Sequence, residues 1–114
     1  NQELNLHIFH NIISNKINLV DSINIRFLQL CCDGNMEEIK LLIEKINVNL
    51  CDYDKRTPLH LASSEGHIEI VKLLLQHGAK VTNDRWGHSP INEINDKTGE
   101  NYENIKQLLT PFLS

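Results

Sequence analysis

Apolar residues recur at helical spacing in two short runs between residues 57 and 78. Leu59, Leu61 and Ala62 form the first, and Ile68, Val71, Leu74 and Leu75 form the second. Positions i, i+3, i+6 and i+7 share one face of a helix, so each run predicts a short amphipathic helix. Thr57 is suited to cap the first helix, and Pro58 to occupy its first turn, where a missing N–H costs nothing. Gly66 and Gly78 can take the positive φ that ends each helix. Neither helix is long enough to be stable alone in water. Each has to bury its apolar stripe against a neighbour.

That neighbour is another copy of the same pattern. Gly34 stands 32 positions before Gly66, and Met36–Leu42 answers Ile68–Leu74. Ser89-Pro90-Ile91 stands 32 positions after Thr57-Pro58-Leu59. Tyr102–Leu108 answers the second helix again, with two extra residues around Gly99. In residues 4–20, Leu4, Ile8 and Ile12 fall at i, i+4 and i+8, with Ile13 and Ile17 beside them. This stretch is expected to be one or two capping helices or a degenerate repeat, with Asp21-Ser22 capping the helix that follows. The predicted fold is all-α: a helix-turn-helix solenoid of about three repeats (25–51, 52–83, 84–113) behind an N-terminal helical cap (1–24). Polar Lys106, Gln107 and Thr110 suit a terminal helix with one face in water.

The segment DYDKRTPLHLASSEGHIEIVKLLLQHGAKVT, residues 52–82, resembles the ankyrin-repeat family. The matching positions are Thr57-Pro58-Leu59-His60, Ala62, Gly66, Val71, Leu73 to Leu75 and Gly78-Ala79, against a family period of about 33 residues. The outer copies depart from the motif, with Ile25-Arg26-Phe27-Leu28 and Ser89-Pro90-Ile91-Asn92 in place of TPLH. The resemblance covers residues 25–113. In particular, DYDKRTPLH, EGH, DRWG and the preceding CCDGN look like the ankyrin segments attached to glutaminases, plant-type ankyrin protein kinases and some voltage-gated potassium channels. The resemblance implies a protein–protein interaction module, a scaffold with no catalysis of its own and no cofactor, serving a larger protein. The alternative it leaves is an assembly or regulatory accessory domain of an enzyme, such as a glutaminase-like or kinase-like parent. It also makes Thr57, Pro58, Leu59, His60, Gly66 and Gly78 structural, with His60 acting as a staple to Thr57 or to a neighbouring turn.

The chemistry of RTPLHLASSEGH needs separate weighing, because His60, Ser63, Ser64, Glu65 and His67 are the letters of a hydrolase. Catalytic groups converge from separate elements onto one reacting atom. Here the serines and His60 share one short helix, and no second element supplies an oxyanion site. No catalytic residue is expected. Among the histidines only His7 and His10 are close enough in sequence to share an ion, and a structural zinc wants four ligands. No metal is expected. No phosphate-binding loop is present.

A net charge of −4 and the lack of a basic stripe argue against nucleic acid as a partner. No apolar run reaches the roughly 18–20 residues of a membrane span, so membrane insertion is not expected. Cys31, Cys32 and Cys51 are odd in number and two are adjacent, which suits neither a disulfide framework nor a zinc ribbon. Reduced thiols point to the cytoplasm. The chain starts at Asn1 rather than Met and reads as a fragment of something longer. A monomer is expected, with self-association as the alternative.

In such a stack the turns between copies project as fingers, and the first helices line a concave face. The fingers are CDYDKR (51–56) and TNDRWGH (82–88). Exposed Trp, Tyr and Arg dominate the energetics of protein interfaces. Tyr53, Lys55, Arg85 and Trp86 are therefore the finger candidates for a protein partner of unknown identity, and Asp33, Ser63 and Ser64 the concave-face candidates, with Asp96 nearby. The competing role for Trp86 is packing sideways on the preceding finger. Asp52, Asp54 and Asp84 are expected to serve turns through their carboxylates.

Overall fold

The computed structural model describes residues 19–112. Among these residues six α-helices follow one another: α1 (Leu19–Asp33), α2 (Met36–Leu42), α3 (Pro58–Ser64), α4 (Ile68–Gln76), α5 (Pro90–Ile94) and α6 (Glu100–Leu109). A 3-10 turn, Thr110–Phe112, closes the series. Among the described residues there is no strand, so the all-α expectation holds. Residues 1–18, which hold most of the expected cap (1–24) together with His7 and His10, lie outside the described residues.

Local chemistry sets the helix boundaries. The Thr57 side chain accepts from the His60 backbone N–H, the His60 ring accepts from the Thr57 N–H, and Pro58 starts α3. Ser89 and Asn92 repeat this reciprocal cap ahead of Pro90 in α5. Asn35 caps α2 by accepting from the Glu38 N–H. The first copy differs. Ile25-Arg26 stands where the other copies have Thr-Pro and Ser-Pro, so nothing stops the helix there. α1 accordingly runs through residue 24, where the sequence drew a boundary between cap and repeat. Asp21 and Ser22 lie inside this helix, not at its N-cap as expected. The stripe Ile23, Phe27, Leu30 and Cys31 keeps helical spacing across that boundary.

The helices pair within each copy, α1 with α2, α3 with α4 and α5 with α6. First helices also stack in a row, α1 on α3 on α5, while α4 packs on α6. The core follows the repeat. Leu30, Ala62 and Ile94, each 32 positions from the next, are all buried on the row of first helices. Ile39, Val71 and Ile105 are the buried counterparts on the second helices. Full burial of such a side chain stabilises by about 1.5–3 kcal/mol. The alanine between two larger residues lets α3 sit close to both neighbours.

Polar contacts between copies also recur. The His67 Nε2 donates to the Cys32 carbonyl at 3.0 Å. One copy on, the Tyr102 hydroxyl donates to the Ser64 carbonyl at 3.4 Å. Cys32 and Ser64 are 32 positions apart, so two different side chains satisfy the same orphan carbonyl at a helix end. Asn49 does similar work on the far side. Its Oδ1 accepts from the Lys80 N–H at 2.8 Å and its Nδ2 donates to the Gly78 carbonyl at 3.2 Å.

Candidate functional site

The two fingers are built the same way. Asp52 Oδ1 accepts from the Asp54 and Arg56 N–H groups at 2.8 and 2.9 Å. Asp84 Oδ1 accepts from the Trp86 and His88 N–H groups, both at 2.9 Å. Each aspartate thus folds its own turn, as expected for Asp52 and Asp84. Asp54 does a different job. Its carbonyl accepts from the Arg85 N–H at 2.7 Å, and its carboxylate lies 3.7 Å from the Arg85 guanidinium. One finger is therefore tied to the next through backbone and side chain together.

This tie presents the finger candidates outward. Tyr53 is 101% exposed and Trp86 is 60% exposed. The Arg85 guanidinium sits 6.0 Å from the centre of the Trp86 ring, at the outer limit of cation–π attraction. Trp86 therefore presents most of its surface to solvent. Lys55 is exposed at φ 61°, the position that Gly87 fills at φ 82° in the next finger. Asp33 is also exposed, at the end of α1, and accepts from Gln29 Nε2 at 2.9 Å.

The serines do not join them equally. Ser63 is fully buried, and its Oγ has no hydrogen-bond partner. This corrects its assignment as a contact residue. It occupies the place of buried Cys31 one copy earlier, where the side chain faces the stack and not a partner. Ser64 is half-buried, and its carbonyl accepts from Lys97 Nζ and the Tyr102 hydroxyl of the third copy. Asp96 is exposed.

His60 is committed at both ring nitrogens. Nδ1 accepts from the Thr57 N–H at 3.1 Å and lies 2.9 Å from Thr57 Oγ1. Nε2 lies 2.9 Å from the His88 carbonyl, which assigns the proton to Nε2. This ring is not free to act as a base for Ser63, so the hydrolase letters of residues 56–67 make no nucleophile–base pair.

A cluster that the sequence reading missed lies under the second finger. Ligand atoms of Asp84, His88 and Glu93 all fall within 4.8 Å of one another. The Asp84 side chain is 1% exposed, and its Oδ2 has no hydrogen-bond partner. Burial pushes the Asp84 carboxyl up, but the His88 and Trp86 N–H groups outweigh that, helped by Glu93 and His88. Its pKa ends below the ordinary carboxylate value. The sequence carried one usable signal. At the same offsets the preceding copy has Asp52, Arg56 and Leu61, an ion pair beside an apolar residue.

The thiols are unpaired. Burial, then the neighbouring Cys32, pushes the Cys31 thiol up to about 12. Burial, then Glu65 and Asp33, raises Cys32. Cys51 is exposed at the base of the first finger. Among the described residues no helix is long and apolar enough to cross a membrane.

With this geometry in view, comparison with known proteins is decisive for the family. A family model for ankyrin repeats in three copies matches residues 2–85. The chain belongs to the ankyrin-repeat family. It is similar to the potassium channel GORK of Arabidopsis thaliana, 51% identical over 55 residues, or 47% of this chain and 7% of the channel. It is similar to serine/threonine-protein kinase 12 of Arabidopsis thaliana, 43% identical over 69 residues, or 59% of this chain and 15% of the kinase. The mitochondrial liver isoform of glutaminase from Mus musculus is 51% identical over 45 residues, or 37% of this chain and 7% of the glutaminase. The ankyrin chain thus spans a small fraction of each relative's length. These three kinds of relative are the ones that the finger and CCDGN motifs resembled.

Proposed function

We propose that this ankyrin chain is a protein–protein interaction module of a larger, cytoplasmic protein. It binds its partner through the finger tips and the concave row of first helices. The observation that carries this reading is the pair of locked fingers with Tyr53, Arg85 and Trp86 projecting from them. The Arg85–Asp54 tie fixes the fingers before a partner arrives, so little conformational freedom is lost on binding. Lys55 borders the finger tips, and Asp33 stands at the far end of the row of first helices, where α1 ends. The family match that begins at residue 2 supports a degenerate repeat ahead of the first full copy.

A photo-crosslinking amino acid at position 53 of the full-length protein, read by mass spectrometry, tests this. Combined Tyr53→Ala, Arg85→Ala and Trp86→Ala should lower the melting temperature only slightly, because these side chains are exposed and the Arg85 N–H bond to the Asp54 carbonyl remains. Affinity for the crosslinked partner should fall at least tenfold. Undiminished binding by the triple variant would remove the fingers from the interface.

The relatives favour a second reading, in which the same module assembles or regulates the catalytic or channel part of its own protein. Light scattering behind size exclusion separates this from recognition of another protein. A mass that stays monomeric as concentration rises counts against self-assembly.

A further inference from the structure

We propose that Asp84, His88 and Glu93 form a binding site for a divalent transition-metal ion such as zinc, built into the second finger. Comparison of the two fingers carries the argument. In the first, Arg56 Nε donates to Asp52 Oδ2 at 3.1 Å and neutralises it. In the second, the arginine is replaced by His88, whose Nδ1 stands 3.9 Å from Asp84 Oδ2, beyond hydrogen-bond reach. The apolar Leu61 is replaced by a second carboxylate, Glu93. The second finger thus has two acids and one imidazole where the first has a closed ion pair.

The buried oxygen Asp84 Oδ2 has no donor, although a buried carboxylate oxygen ordinarily finds one. It lies 3.9 Å from His88 Nδ1, and ligand atoms of all three residues fall within 4.8 Å of one another. Nitrogen and carboxylate oxygen together suit zinc, with bonds of about 2.0–2.2 Å to each. Such bonds place neighbouring tetrahedral ligands about 3.4 Å apart, so the Asp84–His88 pair needs only a small closure. His88 is exposed and Glu93 half-buried, which leaves both free to close and leaves one position open to water or a partner's side chain. A divalent ion neutralises both carboxylates. Supporting contacts hold the ligands: His60 Nε2 donates to the His88 carbonyl, and the His88 N–H donates to Asp84 Oδ1.

The test uses the whole chain with zinc and cobalt as probes. Zinc titrated calorimetrically should bind at one equivalent per chain and change the emission of Trp86, whose backbone N–H donates to Asp84 Oδ1. Cobalt should give visible d–d bands without the near-ultraviolet band of thiolate ligation. Two variants restore the arrangement of the first finger and so keep the fold: His88→Arg and Glu93→Leu. Each should lower zinc affinity by roughly a hundredfold, at or beyond the upper end of what outer-shell changes cost. A thiolate band, or affinity unchanged in both variants, would place the ion on cysteines or elsewhere and overturn the site. So would the absence of saturable binding.

Discussion

The His60 ring reaches across the repeat boundary to the His88 backbone, with Nε2 2.9 Å from the carbonyl oxygen. The same carbonyl accepts from the Asp84 N–H at 2.8 Å. One side chain of α3 therefore fixes its own helix start through Nδ1 and the base of the next finger through Nε2. This links helix capping to the finger that carries Trp86.

The two jobs separate by substitution, because the third copy uses Asn92 where the second uses His60. Asn92 Oδ1 accepts from the Ser89 N–H at 2.8 Å, which preserves the cap alone. His60→Asn should keep the cap and lose the bridge, costing about 1 kcal/mol. His60→Leu, the residue type found at position 28, loses both and leaves the buried Thr57 N–H unpaired, costing about 2–4 kcal/mol. Urea denaturation of both variants checks the order. Equal losses would mean that the bridge to His88 contributes nothing.

Glycines at the helix turns should rank by what surrounds them. Gly34 has φ 81°, and an added Cβ would lie 2.7 Å from the His67 ring, which is held by Cys32. Gly66 has φ 75°, and its Cβ would meet the Tyr102 ring at 3.2 Å. Gly87 has φ 82° with nothing nearby. The left-handed conformation alone costs a residue with a Cβ about 1–2 kcal/mol. Alanine should therefore be least harmful at position 87, worse at 66 and worst at 34. Thermal melts of the three variants would show it, and a mild effect at 34 would mean that the His67 ring is not where the fold puts it.

Ser63→Ala should stabilise the protein. The substitution removes a buried hydroxyl that has no partner and creates almost no cavity. The expected gain is about 1 kcal/mol, seen as a rise in the denaturation midpoint. A loss of stability would reveal a hydrogen bond to Ser63 in solution. Partner affinity should not change, since the side chain has no exposed surface.

What the sequence disclosed was chemistry local in the chain. Thr57, Pro58 and His60 sit within four positions, and their reciprocal cap needs no distant partner. The repeat emerged because buried positions such as Ile39 and Val71 keep type and spacing. Ser63 misled because a serine on a short helix reads as surface, yet its offset equals that of buried Cys31. The start of α1 misled because the missing Thr-Pro signal was filled by Asp21-Ser22, which a helix tolerates. The Cys32–His67 and Ser64–Tyr102 bonds do the same work with different residues at different spacings, so no pattern exposes them. Asp84, His88 and Glu93 converge only after the Asx turn curls the finger onto α5.

The cysteines should report how firmly this fold is closed. At pH 8 in the native state, Cys51 should react with a thiol reagent quickly because it is exposed. Cys32 should follow slowly, since burial first and then Glu65 and Asp33 disfavour its thiolate. Cys31 should stay unmodified, since a thiol pushed up to about 12 leaves about one part in ten thousand as thiolate at pH 8 and is buried as well. Its reaction then requires opening of the α1–α3 contact, so its rate measures that opening. Mass spectrometry of a labelling time course gives all three rates. Fast reaction of Cys31 without denaturant would show that the first repeat does not stay docked on the second. Protection lost only with global unfolding would show that both repeats melt as one unit.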